Sequence, residues 1–305
     1  MITFPHAKIN LGLHVVAKTP HAKRQTQNTG RKTSNTAYEG YHEVETILLP
    51  VRLHDVLEVV PAGDGKTRLT VTGLPIPPGD KPNLCVQAYE LLNTHLGIPD
   101  RASANNRLPP VHSYLHKCIP AGAGLGGGSS DAAFMLKLLN EFLEIGLKNN
   151  QLATLAEQLG SDCPFFLQQT PMLATGRGNI LQPIQIPAIQ KHHLAIISPP
   201  IHIDTANAYS GIKPRKPRMS LKEIVAQPPD TWQEMLVNDF GEYTFRKHPT
   251  TRKIKESLIA HGAVYASLSG SGSSVYGLFP DPPPVHRLKK QFPASQVMAV
   301  GMDVF

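Results

Sequence analysis

The stretch that most limits how this chain can fold is residues 120–131, PAGAGLGGGSSD. It holds five glycines in seven positions: Gly122, Gly124, Gly126, Gly127 and Gly128. Before it, VHSYLHKCIP has the alternation of a short strand. After it, Ala132, Met135, Leu136, Leu139 and Phe142 fall on one face of a helix that starts near Ser129 and stops at Gly146. Strand, glycine loop and helix bring unhindered backbone N–H groups and the positive end of a helix dipole to one place. That is the geometry of a phosphate cradle. No Gly-Lys-Ser/Thr follows, so it is not a Walker loop, and no acidic residue closes a strand about 20 residues on, as a dinucleotide fold requires. The plainer reading is a glycine-rich surface turn. So many glycines abutting an amphipathic helix favour the cradle.

The rest of the chain alternates strands with helices. Ile9, Leu11, Leu13 and Val15 alternate with Lys8, Asn10, Gly12 and His14 in a first strand. Residues 18–38 are polar and almost free of large aliphatics, which predicts a loop. HEVETILLPV and HDVLEVVPA follow as two strands. Asn83 is placed as the N-cap of a helix carrying Leu84, Ala88, Leu91 and Leu92. Leu152, Leu155, Ala156 and Leu159 form another helical stripe, ended by Gly160. After about residue 170 the pattern restarts. HHLAIISPP is a buried strand, helices are expected near 205–212, 231–247 and 250–261, and AVYASLSGSGSSVYGLF reads as strand, turn and strand before a last strand, QVMAVGMDVF. Two α+β domains are therefore expected, 1–170 and 171–305.

Composition excludes several classes. No apolar run approaches the roughly 18 residues of a membrane span, and no basic segment followed by an apolar one marks a secretory leader. Cys85, Cys118 and Cys163 are too few and too scattered for a disulfide framework or a zinc site, so a cytoplasmic protein is expected. The net charge of +7 is local: Lys18, Lys23, Arg24, Arg31 and Lys32 lie in residues 18–38 without an acidic partner, and the remainder carries +2. Lys213, Arg215, Lys216 and Arg218 form a second patch. Both sit in predicted loops without interleaved aromatics, which argues against a nucleic-acid partner.

The segment PAGAGLGGGSSDAA resembles the central motif of the GHMP kinases, a superfamily of small-molecule kinases. AKINLGLHVV, EGYHEVETILLPV, LGSDCPFFL, ATGRGNILQPI and SLSGSGSSVYGLF extend the resemblance from about residue 4 to about residue 280. They narrow it to the members that phosphorylate the 2-hydroxyl of a cytidine diphosphate-linked methylerythritol, on the methylerythritol phosphate route to isoprenoid precursors. The resemblance implies a two-domain GHMP kinase fold, α+β throughout, with a left-handed β-α-β crossover in the N-terminal domain and a ferredoxin-like C-terminal domain.

It also implies roles. Asp162 is the candidate base and Lys8 the candidate catalytic cation, since transfer to an alcohol needs a proton acceptor and an offset for developing charge. Asp162 also reads as a helix N-cap, and Lys8 as an ordinary strand lysine. Pro120, Gly122, Gly124, Leu125, Gly126, Gly127, Gly128, Ser129 and Ser130 match the ATP site, as does Asn83 near the base. Mg²⁺ accompanies ATP, held by Ser130 or mainly by the phosphates. Asn10 faces the same side as Lys8 and would orient the polyol. Tyr41 and His42 would form one wall for cytosine and Tyr209 the other, with ordinary packing the alternative for each tyrosine. The family joins the first strand to Gly40-Tyr41-His42 by a short turn. Here the basic segment 18–38 intervenes, as a passive loop or as a lid on the diphosphate. A small-molecule substrate, and a monomer or weak homodimer, complete the expectation.

Overall fold

The computed structural model describes residues 1–18, 42–96, 108–212, 214 and 217–301. Tyr41, residues 19–38 of the basic segment, and Lys213, Arg215 and Lys216 of the second patch lie outside the described residues.

Three four-stranded sheets carry the architecture. The first joins β1 (Ile2–Thr3), β4 (Val56–Pro61), β6 (Val111–Lys117) and β5 (Arg68–Gly73) in that order. Its parallel pair, β5 and β6, is bridged through helix α1 (Leu84–Leu96), which makes the β-α-β crossover. The second sheet is antiparallel, in the order β2 (His6–Lys18), β3 (His42–His54), β7 (Met172–Thr175) and β8 (Ile180–Pro183). The third joins β10 (Tyr265–Leu268), β11 (Val275–Phe279), β9 (His193–Ser198) and β12 (Gln296–Gly301). Counted along the chain from β9, that order is 2-3-1-4 in an antiparallel sheet with helices between the strands, which is the ferredoxin-like arrangement.

Side-chain alternation decides where the cores form. In β3, Leu48 points to the helical core built on α1, α2 (Gly127–Phe142) and α3 (Asn149–Leu159), while Ile47 and Leu49 point to a core shared with the third sheet. In β9, Leu194 and Ile196 meet that shared core, and Ala195 and Ile197 face the helices behind. A strand buried on both faces explains the unbroken apolar run of HHLAIISPP.

Two strands beyond residue 170 join the second sheet. β7 hydrogen-bonds to β3, with Leu48 opposite Met172, and β8 pairs with β7. The second sheet therefore runs through Pro183. β7 and β8 have four residues each, and β8 is largely exposed, too short and too polar to show as strands in the sequence. The helix expected over 231–247 is broken into Trp232–Met235 and Phe240–Lys247. Between them the chain reaches back to the first strand: Leu13 donates to Val237 O at 3.0 Å, and Asp239 N donates to Leu13 O at 2.9 Å.

Candidate active site

Helix α2 starts at Gly127, two residues before the expected Ser129, with Gly126 as a left-handed N-cap at φ 72°. The first intrahelical bond runs from Ser130 N to Gly126 O at 2.9 Å. The N–H groups of Gly127, Gly128 and Ser129 are thus first-turn donors with no carbonyl four residues back inside the helix. These three residues line a cleft of about 410 Å³, together with the other loop glycines, Lys8, Asn10, Thr46, Asp162, Arg177 and Tyr209. Gly122 and Gly124 share the positive φ of Gly126, so alternate residues of the loop need the freedom only glycine has.

A second glycine loop, missed as a functional element in the sequence, closes the first from the other domain. Gly270, Ser271 and Gly272 line the cleft, and Ser269 Oγ donates to Gly124 O at 2.8 Å. The two backbones touch: a Cβ on Gly124 would lie 2.0 Å from Ser269 O, and one on Gly272 would lie 2.0 Å from Gly124 N. The dense SGSGSS run was the available signal. Read as a plain turn, it carried no hint of the loop it would meet.

Lys8 and Asp162 come together. Lys8 is almost wholly buried, and its Nζ lies 3.6 Å from Asp162 Oδ2. It donates to Asn10 Oδ1 at 2.5 Å and to Gly124 O at 3.1 Å. Burial pushes the Lys8 pKa below the usual lysine value, and the Asp162 carboxylate offsets part of that fall. Asp162 precedes a short 3₁₀ turn, Cys163–Leu167, but its carboxylate makes no capping bond there, so the capping reading is not realised and the side chain is turned to the cleft. Cys163 beside it is inert as a nucleophile, since burial pushes its thiol up to about 12.

The remaining predicted residues divide. Asn83 caps α1, accepting Cys85 N–H at 2.8 Å through its side-chain oxygen. Pro120, Leu125 and Ser130 are not among the cleft-lining residues, whereas Ser129 is. Ser130, expected as a metal ligand, is the fourth residue of α2; its hydroxyl is buried, has no hydrogen-bond partner among the described residues and does not line the cleft. The described residues contain no group of three His, Cys, Asp or Glu side chains that could hold a metal ion. A Mg²⁺ cage made of this chain's own side chains therefore does not fit this cleft, and the ion would depend on phosphate oxygens.

His42 and Tyr209 meet, and Tyr209 lines the cleft. Their rings stack with centroids 4.6 Å apart and planes 18° apart, and Tyr209 rests edge-on against Phe240 at 4.8 Å. Tyr209 stands on helix α4 (Thr205–Ser210), capped by Asp204, which accepts Asn207 N–H at 2.9 Å. The two rings were expected to stand apart as opposite walls. They lie in contact, because each half-buried face finds its nearest apolar cover in the other, so a base would add to the stack or part it. Burial, together with the nearby Asp162 carboxylate, pushes the Tyr209 hydroxyl up to about 12. Arg177, on the turn between β7 and β8, was missed in the sequence. It lines the cleft while donating to Glu157 at 3.2 Å.

A buried triad ties the cradle down from behind. Lys117, at the end of β6, bonds Asp55, and donates to Asp131 Oδ2 at 2.6 Å. Asp55 Oδ1 accepts the N–H groups of Cys118 at 2.5 Å and Ile119 at 2.8 Å. Asp55 thus holds the chain entering the glycine loop, and Asp131 the first turns of the helix leaving it. Burial and the Asp55 carboxylate push Asp131 up to about 7, against the pull of Lys117.

Gly126 offers a local check. A Cβ there would lie 2.6 Å from Phe166 Cζ and 3.1–3.2 Å from the Lys8 stem, in a conformation side chains rarely adopt. At Gly128 the nearest atom would be Leu84 Cδ1, at an ordinary 3.6 Å. Gly126→Ala should therefore push Lys8 out of place and lower kcat by roughly tenfold or more, since small misplacements are costly in transfer reactions. Gly128→Ala should have a much smaller effect. Equal kcat values for the two variants would show that the loop does not set the position of Lys8.

A cleft of this kind, lined by both an anion-binding helix N-terminus and a lysine–aspartate pair, is that of a small-molecule phosphotransferase. Residues 83–169 match the sequence profile described as GHMP kinases N terminal domain, and residues 220–296 that described as GHMP kinases C terminal. The chain belongs to the GHMP kinases, and within them to the group of its relatives named 4-diphosphocytidyl-2-C-methyl-D-erythritol kinase. The protein of that name from Parabacteroides distasonis is 43% identical over 92% of this chain and 93% of its own length. That from Bacteroides thetaiotaomicron is 44% identical over 92% of each. A solved structure of 4-(cytidine 5'-diphospho)-2C-methyl-D-erythritol kinase superposes with a TM-score of 0.73 at 28% identity, covering 98% of both chains. No helix among the described residues is long and apolar enough to cross a membrane.

Proposed function

We propose that this chain transfers the γ-phosphoryl group of ATP to the 2-hydroxyl of 4-diphosphocytidyl-2-C-methyl-D-erythritol. The observation that carries the reading is the meeting of Lys8 and Asp162, 3.6 Å apart, beside the glycine cradle, with Tyr209 of a stacked aromatic pair lining the same cleft. The acceptor carbon bears a methyl group, so the alcohol is tertiary, hindered and weakly acidic. Asp162 takes its proton, and the oxygen attacks the γ-phosphorus as ADP departs. Lys8 offsets the charge that develops on the attacking oxygen and holds the carboxylate in place. The N–H groups of Gly127, Gly128 and Ser129 receive phosphate oxygens. Mg²⁺, when it arrives with ATP, neutralises phosphate charge.

His42 and Tyr209 are the stacking surface for the cytosine ring. Gly40-Tyr41-His42 argues against a homoserine or mevalonate acceptor, neither of which has a base to stack. Three unpaired cysteines fit a reducing cytoplasm, and a monomer or weak homodimer is the expected state.

A coupled assay of ADP release, with the cytidylyl substrate beside homoserine, mevalonate and galactose, tests the reading. Turnover with the first alone is expected, and turnover confined to any control would refute it. In the same assay Tyr209→Ala should weaken the cytidylyl substrate by roughly 1–3 kcal/mol while leaving the ATP constant alone. The reverse pattern would mean that the two nucleotides occupy each other's places.

A further inference from the structure

We propose that Thr46 is a positioning residue for phosphoryl transfer, locking the Asn10 amide in one orientation and through it the Lys8 ammonium. The proposal rests on the assignment of Lys8 and Asp162 to the transfer step. Thr46 lies on β3 beside the Asn10–Lys8 pair, and both Thr46 and Asn10 are almost fully buried. A threonine hydroxyl has one proton. That of Thr46 goes to Gly12 O at 2.6 Å. Thr46 Oγ1 can then only accept, and it accepts from Asn10 Nδ2 at 2.9 Å. This settles which way the amide points: its nitrogen faces Thr46 and its oxygen faces Lys8 Nζ at 2.5 Å. Turned over, the amide would set N–H groups against an ammonium and offer its oxygen to a hydroxyl with no proton left to give.

The start of the relay is a distortion of the sheet. The β2–β3 register shifts between Leu11 and Leu13, and Gly12 has no partner across the ladder. Gly12 has φ +65°, and a Cβ there would lie 2.7 Å from Leu221 Cδ2 and 2.8 Å from Leu236 Cδ1. Only glycine fits, and its carbonyl is turned to the Thr46 hydroxyl. The chain of bonds then runs Gly12 O, Thr46, Asn10, Lys8, Gly124 O, linking the bulge in the second sheet to the phosphate loop. The charged group facing Lys8 is Asp162, from the turn before the 3₁₀ helix, and Arg177 from the β7–β8 turn and Tyr209 from α4 line the same cleft. Lys8 holds Asn10 Oδ1 and Gly124 O with two of its protons, so its approach to Asp162 is fixed by the relay.

The test compares Thr46→Val, which keeps the branched shape and removes the hydroxyl, with Thr46→Ser, which keeps the hydroxyl. Thr46→Val should lower kcat roughly ten- to hundredfold and leave the ATP dissociation constant within about twofold. With its amide acceptor unlocked, Lys8 loses a bond that favours the charged form. The alkaline limb of the kcat/KM profile should therefore move to lower pH. Thr46→Ser should restore most of the rate and the position of that limb. Calorimetric ATP binding and the thermal midpoint verify that both variants are folded. A Thr46→Val enzyme with wild-type kcat and an unmoved limb overturns the relay, as would equal losses in the two variants. Asp162→Asn, measured alongside, separates the causes. If it turns over like wild type, the assignment of the pair has failed. If it is impaired while Thr46→Val is not, only the relay has failed.

Discussion

Asp162→Asn should reduce kcat by about 10²-fold or more, the range for losing a positioned general base, which corresponds to at least about 2.7 kcal/mol of barrier. Asparagine keeps the shape and the local turn, where the aspartate makes no capping bond, so the fold should be unaffected. The cradle is built from backbone N–H groups, which the substitution leaves in place, so ATP affinity should change little. The variant also alters Lys8. Burial lowers the Lys8 pKa, and Asp162 is the counterweight that raises it. With the carboxylate gone, Lys8 should lose its proton at lower pH, and whatever activity remains should fade earlier on the alkaline side. Measuring kcat, the ATP dissociation constant and the pH profile on one preparation tests all three. Near wild-type turnover would remove Asp162 from the mechanism.

Lys117→Met should destabilise the protein by about 3–5 kcal/mol, the range for removing one partner of a buried ion pair. Lys117 is the cation between Asp55 and Asp131, and all three side chains are almost wholly buried. Methionine fills a similar length but leaves two carboxylates in an apolar site. The loss should depend on pH, and its sign follows from linkage. Asp131 sits at about 7 in the folded chain, above the usual aspartate value of about 3.9. The folded state therefore binds the proton more tightly, and this group's contribution to stability falls as pH rises from about 4 through about 7. Removing Lys117 pushes Asp131 higher still. Denaturant unfolding should thus find a larger loss at pH 8 than at pH 5.5, where the acid can keep its proton. A loss below about 1 kcal/mol, or one equal at both pH values, would show that the triad is not the anchor of the cradle.

What the sequence determined by itself is what depends on near neighbours along the chain. The strand–glycine–helix unit at 111–142 follows from alternation, from positions with positive φ and from a stripe at helical spacing. Asn83 caps its helix because a short acceptor before an apolar run satisfies a free N–H two residues on. Lys8 and Asn10 share a face because strand side chains alternate, and they bond each other accordingly. The tertiary structure decided what depends on distant partners. Lys117 and Asp55 are 62 residues apart, Lys8 and Gly124 116, and Ser269 and Gly124 145, and no periodicity encodes which polar groups will meet once the domains close. β7 and β8 were not legible because they are short, and β5 and β8 because they are largely exposed, so hydrogen bonding to a neighbouring strand defines them rather than a buried apolar face.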